Sequence, residues 1–246
     1  MTGASGGLGA GFARELARQG ANLILVARSA DKLETLADEL RARYRIQVET
    51  WPCDLVNRGA RAVLAADLAS REIHTLVNNA GFGSIGDFTD LPQERISAEV
   101  ELNVVALTDL TRTVLPGMKQ RDRGAVINIA STAAFQPIPG FTTYAATKSY
   151  VLRLSIGLWA ELHNTGVRVL AVCPGPTDTG FFSAAGNDQV MGHRRSVEQV
   201  VATSFKALRR HRPYVVDGVG NTIMAEATRL VPATWVSQMA GWIASH

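Results

Sequence analysis

Short apolar runs alternate along this chain with longer segments in which apolar residues recur at helical spacing. Residues 22–27, 47–53, 73–77, 125–129, 168–172 and 214–216 read as strands, and 31–43, 92–119, 143–164 and 197–209 as helices. Consecutive apolar positions, as in Leu23-Ile24-Leu25-Val26, mark strands that are covered on both faces. The alternation predicts βαβ units and hence an α/β fold, a doubly wound Rossmann-type parallel sheet with helices on both faces. No repeat, low-complexity tract or linker interrupts the pattern, and 246 residues suit a single domain over 1–246.

The pattern is unusual at its two ends. Met1-Thr2-Gly3-Ala4-Ser5-Gly6-Gly7-Leu8-Gly9 is a glycine-rich turn that leads directly into a helix. In a doubly wound fold that turn follows a central first strand, so the first strand is expected to be truncated and the natural product to begin upstream of Met1. About four buried aliphatic side chains, at roughly 1.5–3 kcal/mol each, would be comparable with the ~5–15 kcal/mol stability of a whole domain. In the C-terminal segment, about 220–246, Ile223, Met224, Ala227, Leu230 and Val231 form one stripe, and Trp235, Val236, Met239, Trp242 and Ile243 another. The stripes predict helix that covers a pocket or contacts another subunit. A membrane-surface helix fits less well, because Arg229 is the only basic side chain before the terminal His246.

Composition narrows the function classes. A formal charge of +3 from scattered residues leaves no nucleic-acid footprint. The one dense basic cluster, Arg209-Arg210-His211-Arg212, falls at a predicted helix end, where the dipole favours cations. Cys53 and Cys173 belong to neither a CxxC pair nor a metal-ligand spacing and read as buried free thiols, so no metal is expected. No apolar run approaches the ~20 residues of a bilayer span, and no signal peptide is visible. The chain therefore reads as cytoplasmic.

Candidate chemistry starts with Tyr144 and Lys148, four residues apart on one face of a predicted helix. Tyrosine ordinarily titrates near pH ~10; a neighbouring ammonium favours the phenolate and makes the hydroxyl a usable acid/base. Gly3, Gly7 and Gly9 let the backbone turn tightly and approach a pyrophosphate, with the amides of the following helix facing the anion. An NAD site places an acidic residue after the strand at 22–27 to bind a ribose 2′-hydroxyl. Here Arg28-Ser29 follows, with Lys32 one turn later, and a guanidinium grips a 2′-phosphate with paired hydrogen bonds. NADP (NADPH) is therefore favoured over NAD.

Thr2-Gly3-x-x-x-Gly7-x-Gly9, Asn78-Asn79-Ala80-Gly81, Asn103, Ser131, Tyr144-x-x-x-Lys148 and Pro174-Gly175 occur in the order and approximate spacing of the short-chain dehydrogenase/reductase family, classical type, which the chain resembles as far as about Thr179. The resemblance implies an NAD(P)-dependent oxidoreductase that interconverts a ketone or aldehyde and an alcohol. It makes Tyr144 the acid/base at the substrate oxygen and Ser131 a hydrogen-bond donor to the carbonyl. Lys148 would lower the Tyr144 pKa and bond the nicotinamide ribose, and Asn103 would hold a water leading from Lys148 to solvent. Gly3, Ser5, Gly7, Leu8 and Gly9 would cradle the pyrophosphate, Asp54 and Leu55 would meet the adenine, and Asn79-Ala80-Gly81 would pass beneath the cofactor. Pro174, Gly175, Thr177 and Thr179 would grip the nicotinamide amide.

Residues 180–196 would form a mobile substrate lid. Phe181, Phe182, Val190 and Met191, with Phe135, Ile138 and Phe141, would line an apolar pocket, which hints at a hydrophobic substrate. A homodimer or homotetramer is implied by the same resemblance. Two other classes stay open: a non-catalytic nucleotide-sensing protein, and a nucleotide-sugar epimerase or dehydratase on the same fold, which usually carries a longer C-terminal domain.

Overall fold

The computed structural model describes residues 1–179, 181, 185, 194–228, 231–232 and 234–235. Six strands occur: β1 (Leu23–Ala27), β2 (Val48–Pro52), β3 (Thr75–Asn78), β4 (Gly124–Ile129), β5 (Val167–Cys173) and β6 (Tyr214–Val216). Around them lie α1 (Gly7–Arg18), α2 (Ala30–Tyr44), α3 (Arg58–Ala69), α4 (Gln93–Val100), α5 (Leu107–Gln120), α6 (Thr142–Glu161), α7 (Val197–Arg209) and α8 (Val219–Ala227). All pairings are parallel: β1 with β2 in one sheet, and β3-β4-β5-β6 in order in the other. The first residues join the two sheets. Val26 N donates to Met1 O (2.9 Å), Thr2 N to Val77 O (2.9 Å) and Ala4 N to Val26 O (3.2 Å).

Successive strand residues point to opposite faces, and each face is covered by its own helix layer. Leu25, Val77, Ile127 and Leu170 pack with Phe12, Leu16, Leu33, Leu40, Val200 and Phe205 of α1, α2 and α7. Their neighbours Val26, Leu76, Val126 and Val169 pack with Leu64, Leu110, Val114 and Met118 of α3 and α5. The continuous apolar runs of the strands are the consequence of this double burial. A polar ladder crosses the second layer: Asn78 Nδ2 donates to Thr111 Oγ1 and Asn128 Oδ1 (2.9 Å each), and Asn128 Nδ2 to Ser155 Oγ (2.9 Å).

Two helices differ from their sequence expectation. The segment at 92–119 is not a uniform α-helix, because Glu101–Ala106 forms a π-helix between α4 and α5. Such widened turns cluster at functional sites, and this one carries Asn103. α6 ends at Glu161 rather than 164, where Thr165 N caps Leu162 O (2.9 Å) in a turn. Near the C-terminus, α8 buries Ala225 but exposes Val219, Ile223 and Met224. The predicted contacts of Leu230, Val236, Met239, Trp242 and Ile243 lie outside the described residues. Among the described residues, no helix is long and apolar enough to cross a membrane.

One ion network ties the loop after β2 to the long helix. The buried Arg61 donates through Nη1 to Leu55 O (2.6 Å), through Nη2 to Glu101 (2.8 Å) and through Nε to Asp109 (2.9 Å). Arg61 is buried, while Asp109 is half-exposed and Glu101 keeps Arg58 as a second partner, so Arg61→Ala removes the network's buried hydrogen bonds and should lower unfolding free energy by about 2 kcal/mol in urea titrations.

Candidate active site

The carboxyl ends of the strands face one cleft of about 1670 Å³. It is lined by the turn before α1 (Gly3, Ser5, Gly7, Leu8), Arg28 after β1, Asp54 and Leu55 after β2, and Asn79-Ala80-Gly81 after β3. Ser131 after β4, Tyr144 and Lys148 on α6, and Pro174, Gly175, Thr177 and Thr179 after β5 complete it. Strand ends are the general ligand-binding edge of an open parallel sheet. Of the site and pocket residues singled out from sequence, Gly9, Asn103 and Phe135 are not part of the lining: Gly9 and Asn103 are buried behind it, and Phe135 packs against the core and Tyr214 instead.

The residues present fit a dinucleotide. Gly3 (φ +63°) and Gly7 (φ +51°) adopt the left-handed conformation that side chains disfavour. A Cβ on Gly9 would stand 2.1 Å from Gly3 O and 2.7 Å from Asn79 Nδ2, so the turn and the 79–81 loop are pressed together. Asn79 Nδ2 donates to Thr2 O (3.2 Å) and Gly3 O (3.0 Å), while Thr2 Oγ1 accepts from Asn79 N and Ala80 N (3.0 Å each). The N-cap of α1 is Gly6, which offers no side-chain cap. The first-turn amides therefore remain available to an anion such as a pyrophosphate.

Tyr144 is buried between two rings, stacked on Phe141 (centroids 4.3 Å apart) and tilted against Phe181 (5.2 Å). Gly83 permits that packing, since its Cβ would lie 2.6 Å from Phe141 and 2.9 Å from Tyr144. Ser131 stands close enough to the Tyr144 hydroxyl to favour its phenolate, and its Oγ accepts from Ala133 N (3.1 Å). Lys148 is also buried; its Nζ donates to Ile129 O (2.8 Å) and lies 5.5 Å from the Tyr144 ring centroid. Asn103 brackets Phe82: Nδ2 donates to Phe82 O (2.8 Å) and to Thr147 Oγ1 (3.1 Å), and Oδ1 accepts from Phe82 N (3.2 Å).

Burial sets the electrostatics. Desolvation raises the Tyr144 pKa above the ordinary tyrosine value, and Ser131 opposes it. Desolvation pushes Lys148 down to about 8. The lowered Tyr144 pKa expected from Lys148 is thus not what the protein groups alone produce, because desolvation is the largest influence and the ammonium bonds Ile129 O while lying over the ring. Cys173, buried at the end of β5, is pushed up to about 12 by desolvation.

Several contributors carried no usable sequence signal. Phe82, Ile85 and Gln136 line the cleft from irregular segments. Asn128 and Ser155 read as ordinary strand and helix polar residues until the fold pairs them. Of the predicted lid, Phe181 touches Tyr144 and Ala185 O accepts from Ile85 N (3.3 Å). Phe182, Val190 and Met191 lie outside the described residues.

The sequence model of the family described as short chain dehydrogenase matches residues 1–190. The chain belongs to that family. Curated relatives of this chain are named dehydrogenases and reductases. It is 34% identical over 178 residues to the very-long-chain 3-oxoacyl-CoA reductase of Bos taurus, a match over 71% of this chain and 57% of the relative. The chain thus spans little more than half the length of that relative. It is 31% identical over 244 residues to the 17-beta-hydroxysteroid dehydrogenase type 3 of Danio rerio, covering 97% and 78% of the two chains. Among solved structures, a short-chain dehydrogenase from Sphingobium yanoikuyae in complex with NADPH superposes with TM-score 0.86 at 34% identity, covering 94% of this chain and 92% of that one. The bulky-bulky ketone specific alcohol dehydrogenase from Comamonas testosteroni gives 0.82 at 31%, covering 94% and 90%.

The buried ammonium yields a stability test. Lys148 has a folded-state pKa of about 8, below its ordinary 10.5. Between those values the unfolded chain binds more protons, so stability rises with pH there. The stability difference between the wild-type dehydrogenase and Lys148→Met should therefore grow in favour of wild type from pH 8 to 10.5, read by urea unfolding at each pH.

Proposed function

We propose that this enzyme reduces a hydrophobic ketone, or oxidises the corresponding alcohol, with NADP(H) as its cofactor. The observation that carries the reading is Tyr144, sharing the cleft wall with Ser131 and enclosed by Phe141 and Phe181, in a cleft whose far end presents a glycine turn and Arg28.

When bound, the nicotinamide supplies or accepts the hydride. This chain's residues manage the oxygen. Hydride arrival at a carbonyl carbon leaves negative charge on oxygen, which the Ser131 hydroxyl stabilises by donating a hydrogen bond. The Tyr144 hydroxyl gives its proton to that oxygen. Its raised pKa keeps the phenol protonated and ready to donate at neutral pH, and the Lys148 charge stabilises the phenolate left behind. Phe141, Phe181 and Ile138 offer apolar surface beside the reacting oxygen and exclude water. This fits a bulky apolar substrate, in keeping with the ketone, steroid and oxoacyl-CoA names among the relatives.

Arg28 and Lys32 line the cleft at the end of β1 and suit a 2′-phosphate. The NADPH-bound relative at 34% identity supports the same preference. A homodimer or homotetramer accompanies the reading, with exposed Val100 and Tyr150 on the long helices as candidate contact residues.

Two experiments test it. In a screen of bulky ketones and alcohols with NADPH and NADP, Tyr144→Phe should lower kcat by about 10²–10⁴-fold while NADPH still binds by fluorescence titration. Turnover that survives the change would sink the assignment. Hydrogen bonds to charged groups contribute ~1.5–3 kcal/mol, so Arg28→Ala should raise KM for NADPH about tenfold or more and leave that for NADH nearly unchanged. Equal effects on both cofactors would overturn the NADP preference.

A further inference from the structure

Glu99 is fully buried in α4, and neither of its carboxylate oxygens has a hydrogen-bond partner. A buried polar group left without a partner is costly, and a native protein that retains one usually has a use for it or a water beside it. Glu99 stands one turn after Arg95 and one turn before Asn103, so the three share a helix face.

The outer two grip the loop that walls the cleft. Arg95 Nε donates to Ser84 Oγ (2.9 Å) and Nη2 to Gly83 O (3.2 Å), while Asn103 brackets Phe82. Gly81 marks how close this face comes to α6. A Cβ there would lie 2.9 Å from Asn103 Oδ1 and 3.4 Å from Lys148 Nζ.

The charged and titratable groups that act on one another here are Cys173, Glu99, Arg95, Lys148 and Tyr144. Cys173, pushed up to about 12, stays a neutral thiol at neutral pH, which leaves Glu99 as the carboxyl group acting on Lys148. Arg95 is already engaged with Ser84 and Gly83. Lys148 is buried with a single hydrogen bond, to Ile129 O. Glu99 is raised in pKa by desolvation, against the opposing influence of Ser84, Arg95 and Lys148, and its charge in turn favours the Lys148 ammonium. A buried ammonium without a nearby anion gives up its charge; Glu99 is the nearby anion.

We propose that Glu99 is a positioning residue that acts through Lys148: its carboxylate, reached across the Gly81–Asn103 contact through bound water, holds Lys148 in its ammonium form. Such a water would satisfy the carboxylate as well, since buried waters typically make about three hydrogen bonds to otherwise unpaired groups. The inference rests on the reading of Lys148 as the group that assists Tyr144, and it adds a second layer to that site. Replacing Glu99 leaves the buried Lys148 without its counter-charge, which the ammonium answers by giving up its proton at lower pH.

The test is the titration of Lys148 in the cofactor-free protein, followed by NMR of its labelled Cε and assigned with Lys148→Arg. In Glu99→Gln the midpoint should move to lower pH by about one unit. The alkaline limb of kcat in the reducing direction should move with it, whereas Glu99→Asp should stay near wild type. If the Gln variant does not fold, Glu99→Met is read in the same way. A Lys148 midpoint unmoved in these variants overturns the proposal, as does a loss of turnover with an unshifted pH profile, which would mark Glu99 as merely structural. A shifted midpoint in a protein that turns over no carbonyl compound would uphold the Glu99–Lys148 coupling and instead refute the proposed function.

Discussion

The close approach of the first turn to the loop after β3 is the contact on which the remaining structure depends. Thr2 and Gly3 touch Asn79 and Ala80 through four hydrogen bonds of 3.0–3.2 Å, and the glycines at 3 and 9 leave no room for a side chain. The same few residues bond to β1 on one side and β3 on the other, so they join the two sheets. One contact therefore sets the relative position of the glycine turn before α1 and of the 79–81 loop, which leads to Asn103 and Lys148. A shift there would separate the cofactor end of the cleft from its proton-donating end.

A second constraint is dielectric. Tyr144, Lys148, Cys173 and Glu99 all lie where water is excluded, and burial drives each toward its neutral form. For Tyr144 this preserves a phenol that can donate. For Lys148 it erodes the charge that makes the residue useful, which is why a buried carboxylate on the facing helix matters. The site is thus a balance between desolvation and a small number of fixed charges, and no single pair of residues sets its acidity.

The helix that carries Glu99 and Asn103 shows how local irregularity serves the site. The π turn over Glu101–Ala106 carries Asn103, which brackets Phe82, while the apolar stripe of α5 stays in the core. Arg61 holds the same helix from its other side, through Glu101 and Asp109, and bonds the adenine-side loop at Leu55. Cofactor loop, relay helix and substrate wall are in this way tied to one element.

Much of this was legible along the chain because it obeys local rules. Strands buried on both faces are continuously apolar, which made β1 and β5 plain, and the six described strands lie within two residues of their expected ends. Glycines at positive φ and the Tyr144–Lys148 spacing depend on backbone geometry over a few residues, and the ordered motifs made the family recognisable. Other features depend on atoms brought together from distant positions. The π turn, the stacking of Phe141 and Phe181 on Tyr144, and the polar ladder from Asn78 to Ser155 have no local signature. The direction of the Tyr144 pKa could not be read from its spacing to Lys148, since it depends on how much water the fold removes. Glu99 is the sharpest case. In sequence it is one acid in a charged helix, and only the tertiary structure buries it beside Ser84 and packs its helix against the one that carries Lys148.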